Sequence, residues 1–277
     1  MDLKLGVHVS IAGSIDQAVD RALSLNCTAF QIFTRNPRGW KGKPLDDEEA
    51  DRFKEKVKKS KIDINSICVH MPYLPNLASP KEEQYKRSLE VLIDEAKRCE
   101  MLGIKYLVIH LGSHLNAGVE VGMRNIVNAC IKASEVSKTI ILLENMAGQK
   151  NSIGSKFDEL RRLLDMLDDK NRFGICFDTC HAFAAGYDIR DADKVIEEFD
   201  NKVGFENIKI VHLNDSKSDL GLNSDRHEHI GLGYIGYDGF RKILHSKLRQ
   251  LPLILETPID KRRDDIGNLN KVKELAK

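Results

Sequence analysis

The chain alternates short, almost wholly apolar runs with longer amphipathic ones. The apolar runs fall at residues 3–9, 28–33, 64–70, 106–110, 139–145, 172–178, 208–214 and 252–257. Their lengths suit strands, and their continuous apolarity suits strands covered on both faces. Between them, residues 14–25, 46–60, 80–102, 119–137, 156–167, 193–203, 237–248 and 265–276 carry apolar positions at helical spacing. Two helix starts are marked. Ser79-Pro80 reads as an N-cap followed by a first-turn proline, and Asp46-Asp47-Glu48-Glu49 puts acids at the positive end of a helix.

Eight strand–helix alternations predict an α/β chain folded as a (β/α)8 TIM barrel, one domain spanning residues 1–277. A doubly wound open sheet would need a Gly-rich phosphate turn after an early strand, and Gly6-Val7-His8-Val9-Ser10 is no such turn. No linker, low-complexity segment or short-period repeat interrupts the pattern. The longer loops, at 34–45, 71–79, 111–118, 146–155, 179–192 and 215–236, all follow strand ends, so one face of the barrel carries the elaboration.

The strands also end alike. His70, His110, Glu144, Asp178, His212 and Glu256 each close an apolar run, while His181, Asp225 and His227 lie in the loops beyond. One strand-end histidine is ordinarily a packed or loop residue. Several at equivalent strand ends, with acids at the others, point instead to a metal site, because buried carboxylates need a counter-charge. Mixed imidazole and carboxylate donors suit Zn(II), Mn(II) or Fe(II). Four ligands saturate one tetrahedral ion, so this many candidates imply a cluster of two or three. Four carboxylates against three divalent ions leave residual positive charge, which favours a phosphate ester over a sugar as substrate. His8 is placed to support a ligand or phosphate, His114 to touch substrate, and His229 competes with His227 on chemistry alone. His245 falls in a helical stretch and reads as surface or packing.

Composition narrows the partners. With 277 residues, 42% of them hydrophobic, the chain can bury a large core. Lys+Arg number 43 against Asp+Glu 42, so any affinity for nucleic acid must be local. Cys27, Cys68, Cys99, Cys130, Cys176 and Cys180 are dispersed without a CxxC pair and read as free thiols; only Cys180, between Asp178 and His181, stands near the chemistry. No apolar run approaches the ~18 residues of a membrane span, and the N-terminal residues lack the apolar core of a signal sequence. A soluble cytoplasmic protein is expected. The loop Arg35-Asn36-Pro37-Arg38-Gly39-Trp40-Lys41-Gly42-Lys43 carries four positive charges, no acid and the only Trp. By itself it reads as an ordinary exposed basic loop.

Three stretches carry a family likeness: Asp178-Thr179-Cys180-His181-Ala182-Phe183-Ala184-Ala185-Gly186-Tyr187-Asp188; His212-Leu213-Asn214-Asp215-Ser216-Lys217 continuing to Asp225-Arg226-His227; and Leu143-Glu144-Asn145 with Ala147-Gly148-Gln149. Over nearly its whole length the chain resembles the endonuclease IV family of apurinic/apyrimidinic (AP) endonucleases. That resemblance implies three zinc ions per chain, replaceable by Mn(II) or Fe(II). His70, His110 and Glu144 would hold the first, with Glu144 bridging to a second completed by Asp178, His212 and Glu256. His181, Asp225 and His227 would hold the third, which selects His227 over His229. It further implies hydrolysis of the phosphodiester 5′ to an abasic site in duplex DNA, leaving a 3′-hydroxyl and a 5′-deoxyribose-phosphate, and trimming of blocked 3′ ends. Glu144 would be catalytic, positioning the attacking hydroxide. On DNA, Arg38, Tyr73 and Leu74 would act as wedges, with Trp40 and Lys41 beside them and Lys41 and Lys43 on phosphate. A monomer working inside the cell on nucleoid DNA is expected. Lys150 stands where the family usually has Gly, and Val7 where it commonly has Ala; neither removes a ligand. A metal-dependent TIM-barrel sugar isomerase would need fewer histidines and has no use for the basic loop. A damage-binding protein without cleavage would have lost a bridging ligand.

Overall fold

A computed structural model describes residues 3–277; Met1 and Asp2, counted in the expected 1–277 domain and at the head of the N-terminal segment, lie outside the described residues. Its strands are β1 (Leu5–Val7), β2 (Phe30–Ile32), β3 (Ile67–His70), β4 (Tyr106–Ile109), β5 (Ile140–Glu144), β6 (Phe173–Asp178), β7 (Ile208–His212), β8 (Asp215–Ser216), β9 (His227–Glu228) and β10 (Leu253–Leu255). Eight of them form a parallel sheet in the order β1-β10-β7-β6-β5-β4-β3-β2. The two ends of that order meet through a parallel bridge between His8 and Gln31, where the Val9 amide donates to the Gln31 carbonyl at 2.8 Å. The sheet therefore closes, and the expected barrel is formed. Around it run α1 (Gln17–Ser24), α2 (Asp47–Ser60), α3 (Glu82–Leu102), α4 (Val119–Val136), α5 (Phe157–Leu167), α6 (Thr179–Ala184), α7 (Ala192–Lys202), α8 (Gly236–His245) and α9 (Asp265–Leu275).

The continuously apolar strands conceal a two-residue alternation. Outward positions such as Ile32, Val69, Leu107, Ile109, Leu143, Phe177 and Leu255 join the large core between sheet and helices. Inward positions form a separate small cluster of Ala29, Cys68, Tyr106, Val108, Leu142, Cys176, Ile210 and Ile254, which fills the barrel. Thus Cys68 and Cys176 are buried free thiols in the core, as their sequence setting suggested. A register shift at Ile175/Cys176 adjusts β7 so that His212 still pairs level with Asp178.

Closure at the β1–β2 seam depends on one glycine. A Cβ on Gly6 would lie 1.6 Å from the Ala29 carbonyl oxygen, so any side chain there would push the two strands apart.

Several local expectations are shifted. Asp46 caps α2 as expected, accepting from the Glu49 amide at 2.7 Å. Ser79, however, does not cap α3. Its Oγ accepts from the Lys81 amide and donates to Gln84 Oε1, making a turn, and the helix begins at Glu82. Residues 64–66 form a 3₁₀ turn set by Asp63, which accepts from the Asn65 amide, before β3 begins. Three elements arise inside stretches that carry no strand or helix periodicity. The buried α6 starts at Thr179 because Asp178 Oδ1 accepts from the His181 amide at 2.7 Å, and β8 pairs antiparallel with β9.

Gly6→Ala is expected to lower the unfolding free energy of the metal-free protein, read from urea titration, by more than the ~1–3 kcal/mol usual for an overpacked core site. Unchanged stability would show that the seam can open freely.

Candidate metal centre

Six of the eight barrel strands carry an inward-facing histidine or acid at or just past their C-terminal ends, and His70, His110, Glu144, Asp178, His212 and Glu256 meet there at the mouth of the barrel. Glu144 is their hub. Fully buried, its Oε2 lies 3.2 Å from both His70 Nε2 and His110 Nε2, and its Oε1 lies 2.9 Å from His212 Nδ1 and 3.4 Å from His181 Nδ1. His212 Nδ1 is also 3.3 Å from Glu256 Oε2 and 3.9 Å from Asp178 Oδ2. Donor atoms around a tetrahedral ion with bonds of ~2.1 Å sit about 3.4 Å apart. The spacings here are of that size.

Three candidate ligand sets emerge, each with donor atoms within 4.8 Å of one another: His70, His110 and Glu144; Glu144, Asp178, His212 and Glu256; and Asp178, His181 and His227. Asp225 borders the third, 2.9 Å from His181 Nε2 and 3.6 Å from His227 Nε2. Asp178 thus belongs to two sets, an addition to the ligand scheme expected from sequence. His181 Nε2 and His227 Nε2 are buried and point at carboxylates without the angles of a hydrogen bond. Buried polar atoms are rarely left so, and a divalent cation fits this donor set.

The charges are mutually adjusted. Burial pushes the Glu144 carboxyl up, but the His212 and His110 imidazoles outweigh it and hold the group well below the ordinary range. Burial likewise opposes charge on His181, yet Asp178 and Asp225 raise it well above an ordinary imidazole. Acids of the same cluster also raise His110 and His212 against the opposing effect of burial.

Backbone carbonyls orient three of these rings. His70 Nδ1 lies 2.6 Å from the Met71 carbonyl, His181 Nδ1 2.9 Å from that of Asn145, and His227 Nδ1 3.1 Å from that of Glu256. All three present Nε2 to the acids. Sequence reasoning missed the side chains that support them. Asn214 donates to Asp178 Oδ2 and accepts from the Glu256 amide; Asn145 brackets the Asp178 peptide from both sides; Gln31 reaches both His212 and Glu256. A signal existed. Asn145 and Asn214 lie one and two residues beyond strand-end ligands, and Gln31 is the lone polar residue in Ala29-Phe30-Gln31-Ile32-Phe33.

The remaining candidates separate. His229 is buried away from the cluster, 3.1 Å from Asp260 Oδ1 and 3.0 Å from Asn268 Nδ2, so geometry also selects His227. His8 lies 3.7 Å from Glu256 Oε1, beside a ligand as anticipated. His114, half-exposed, accepts from the Gly118 amide at the start of α4, and exposed His245 bonds the Arg241 carbonyl. Cys180 is buried with its thiol pushed up to about 12 by burial, outside every ligand set. Lys150 is exposed in a turn.

The basic loop is partly structural. Arg35 is buried against Glu95 and Asp94 of α3, which removes it from the four charges counted as available. Arg98, also on α3, donates to the carbonyls of Thr34 and Lys43 and so ties both ends of the loop. Trp40 is half-buried with the Arg87 guanidinium 4.4 Å from its ring centre. Arg38, Lys41 and Lys43 remain at least partly exposed. Tyr73 is 50% exposed and meets Phe33 edge-on, and Phe33 in turn meets His70, while Leu74 is half-buried beside it.

Residues 19–276 match the family described as xylose isomerase-like TIM barrel. The chain is 52% identical over 279 residues to "Probable endonuclease 4" of Nitrosopumilus maritimus, covering 99% of this chain and 100% of that one. It is 56% identical over 279 residues to the protein of the same name from Methanoculleus marisnigri, with 98% of each covered. The crystal structure of endonuclease IV from Thermus thermophilus superposes with a TM-score of 0.87 at 33% identity, covering 98% of both chains. A D-tagatose 3-epimerase-like protein, at 22% identity and a TM-score of 0.71, shares the fold.

After zinc loading and metal analysis, His227→Ala is expected to bind one equivalent fewer than the parent chain, and His229→Ala the same number. Equal loss in both would remove the distinction drawn between the two rings.

Proposed function

This chain belongs to the endonuclease IV family, within the xylose isomerase-like TIM barrels, and from that premise we propose that it is a DNA-repair nuclease hydrolysing the phosphodiester 5′ to abasic sites. Its products are a 3′-hydroxyl and a 5′-deoxyribose-phosphate, and the same site trims blocked 3′ ends. The observation that carries this reading is the convergence of three ligand sets that share Glu144 and Asp178, at the mouth of a barrel rimmed by basic and aromatic loops.

The metal proposed is Zn(II), three per chain, with Mn(II) or Fe(II) as substitutes. His70, His110 and Glu144 hold one; Glu144, Asp178, His212 and Glu256 the second; His181, Asp225 and His227 the third, with Asp178 alongside. When bound, such ions supply Lewis-acid polarisation of the phosphodiester and stabilise charge on the departing 3′ oxygen. The chain's own contribution is positioning. Glu144 offers one carboxylate oxygen toward His70 and His110 and the other toward His212, so it stands between two sets and orients the attacking water. Buried carbonyl partners lock the rings, which holds the ligands in place before substrate arrives.

The DNA side is assigned to the exposed rim. Arg38, Tyr73 and Leu74 enter the duplex at the abasic gap, and Trp40 flanks them. Lys41 and Lys43 contact phosphate and give binding its salt dependence. The protein acts as a monomer inside the cell, on nucleoid DNA. Among the described residues no helix is long and apolar enough to cross a membrane. A sugar isomerase would use one ligand set and leave the third, with its unbonded imidazole nitrogens, without a role.

Zinc-loaded protein is expected to nick a labelled duplex 5′ to a single stable abasic analogue, and Glu144→Ala to abolish the cut while circular dichroism stays unchanged. Binding without a nick, or near-parental cutting by Glu144→Ala, would sink the assignment. Separately, Arg38→Ala is expected to weaken affinity for the abasic duplex on the order of tenfold, with metal content unchanged. Parallel loss of metal would show that the loop is structural.

A further inference from the structure

His212 differs from the other oriented rings. It turns Nδ1, not Nε2, toward the acids, and among the described residues no backbone carbonyl bonds its ring; its Nε2 faces Gln31 Oε1 at 2.8 Å. Gln31 sits inside the barrel at the β1–β2 seam, with all four of its hydrogen-bonding positions engaged. Nε2 donates to Glu256 Oε1 at 2.7 Å and to His8 Nδ1 at 2.9 Å, while Oε1 accepts from His212 Nε2 and from Cys68 Sγ at 3.3 Å. The reverse amide orientation would turn the carbonyl oxygen on the Glu256 carboxylate, so Glu256 dictates which end of the amide meets His212.

Resting on the metal reading above, we propose that Gln31 is a positioning residue that selects Nδ1 as the ligand atom of His212 and aims the free oxygen of Glu256 at the same ion. An amide oxygen against Nε2 requires a proton there, which leaves the Nδ1 lone pair for the metal. One N–H on Glu256 Oε1 leaves Oε2 turned inward, 3.3 Å from His212 Nδ1. One side chain therefore orders half of the second ligand set, and it does so from the strand that also closes the barrel.

The test uses zinc-loaded full-length protein with 15N-labelled histidine, read by chelator competition and by the ring nitrogen resonances of His212. In the parent chain His212 shows a coordinated Nδ1 and a protonated Nε2. Gln31→Met keeps the length but removes every hydrogen bond; it is expected to lower zinc affinity at one of the three positions by about 10- to 100-fold and to erase that signature. Gln31→Glu restores an acceptor for Nε2 but sets an oxygen against Glu256, so it is expected to restore the His212 signature and not the zinc affinity. A folded Gln31→Met with unchanged His212 resonances and zinc affinity within twofold of the parent overturns the proposal alone. Should Gln31→Met not fold, loss of the signature in a folded Gln31→Glu overturns it. A parent chain that takes up no zinc overturns the metal reading as well.

Discussion

A carboxylate buried beyond the reach of water must find compensating charge, and Glu144 finds four imidazoles. The rest of the site follows from that requirement. His70, His110 and His212 come from neighbouring or opposite strands, so they can surround one carboxylate only if the barrel is closed and in register. His181 reaches it from α6, a helix that exists because Asp178 caps it. The acid that gathers the histidines and the acid that starts the helix each belong to more than one ligand set. Fold and chemistry thus rely on the same few side chains.

Closure is itself a local matter. β1 and β2 approach closely because Gly6 has no side chain, and they are joined where His8 and Gln31 face each other. That bridge places Gln31 within reach of His212 and Glu256 at the ends of β7 and β10. The outer face of the barrel shows a second division of labour, with α3 holding the basic loop through Asp94, Glu95 and Arg98. A loop of this length without regular structure would otherwise lose much conformational entropy to present Arg38 in one place. Buried charge at its base does that ordering, and it removes Arg35 from the exposed surface.

How much was legible beforehand differs between levels. Eight strands, their order along the chain and the histidine or carboxylate that closes six of them were readable, because strand apolarity and residue chemistry are local. Boundaries shifted by a few residues where side chains bonded to the backbone, as at Ser79 and Asp63. α6 and the β8–β9 pair leave no periodic trace in the sequence, since they are held by Asp178 and by each other. His229 and His227 were equal candidates on chemistry, and only the family likeness chose between them. In the structure, Asp260 and Asn268 draw His229 into a separate network.

By itself, the sequence determined an α/β barrel, a mixed histidine and carboxylate site at one mouth, and the family that shares both. Those follow from periodicity and from residue type, which survive without coordinates. Tertiary structure alone decided which nitrogen of each ring faces the acids, that Asp178 serves two ligand sets, that Arg35 is an anchor, and that Gln31 belongs to the site. Each of these depends on what lies opposite a side chain across the barrel or on a neighbouring helix. Such partners are dozens to hundreds of positions away along the chain, and only closure of the sheet brings them within hydrogen-bonding distance.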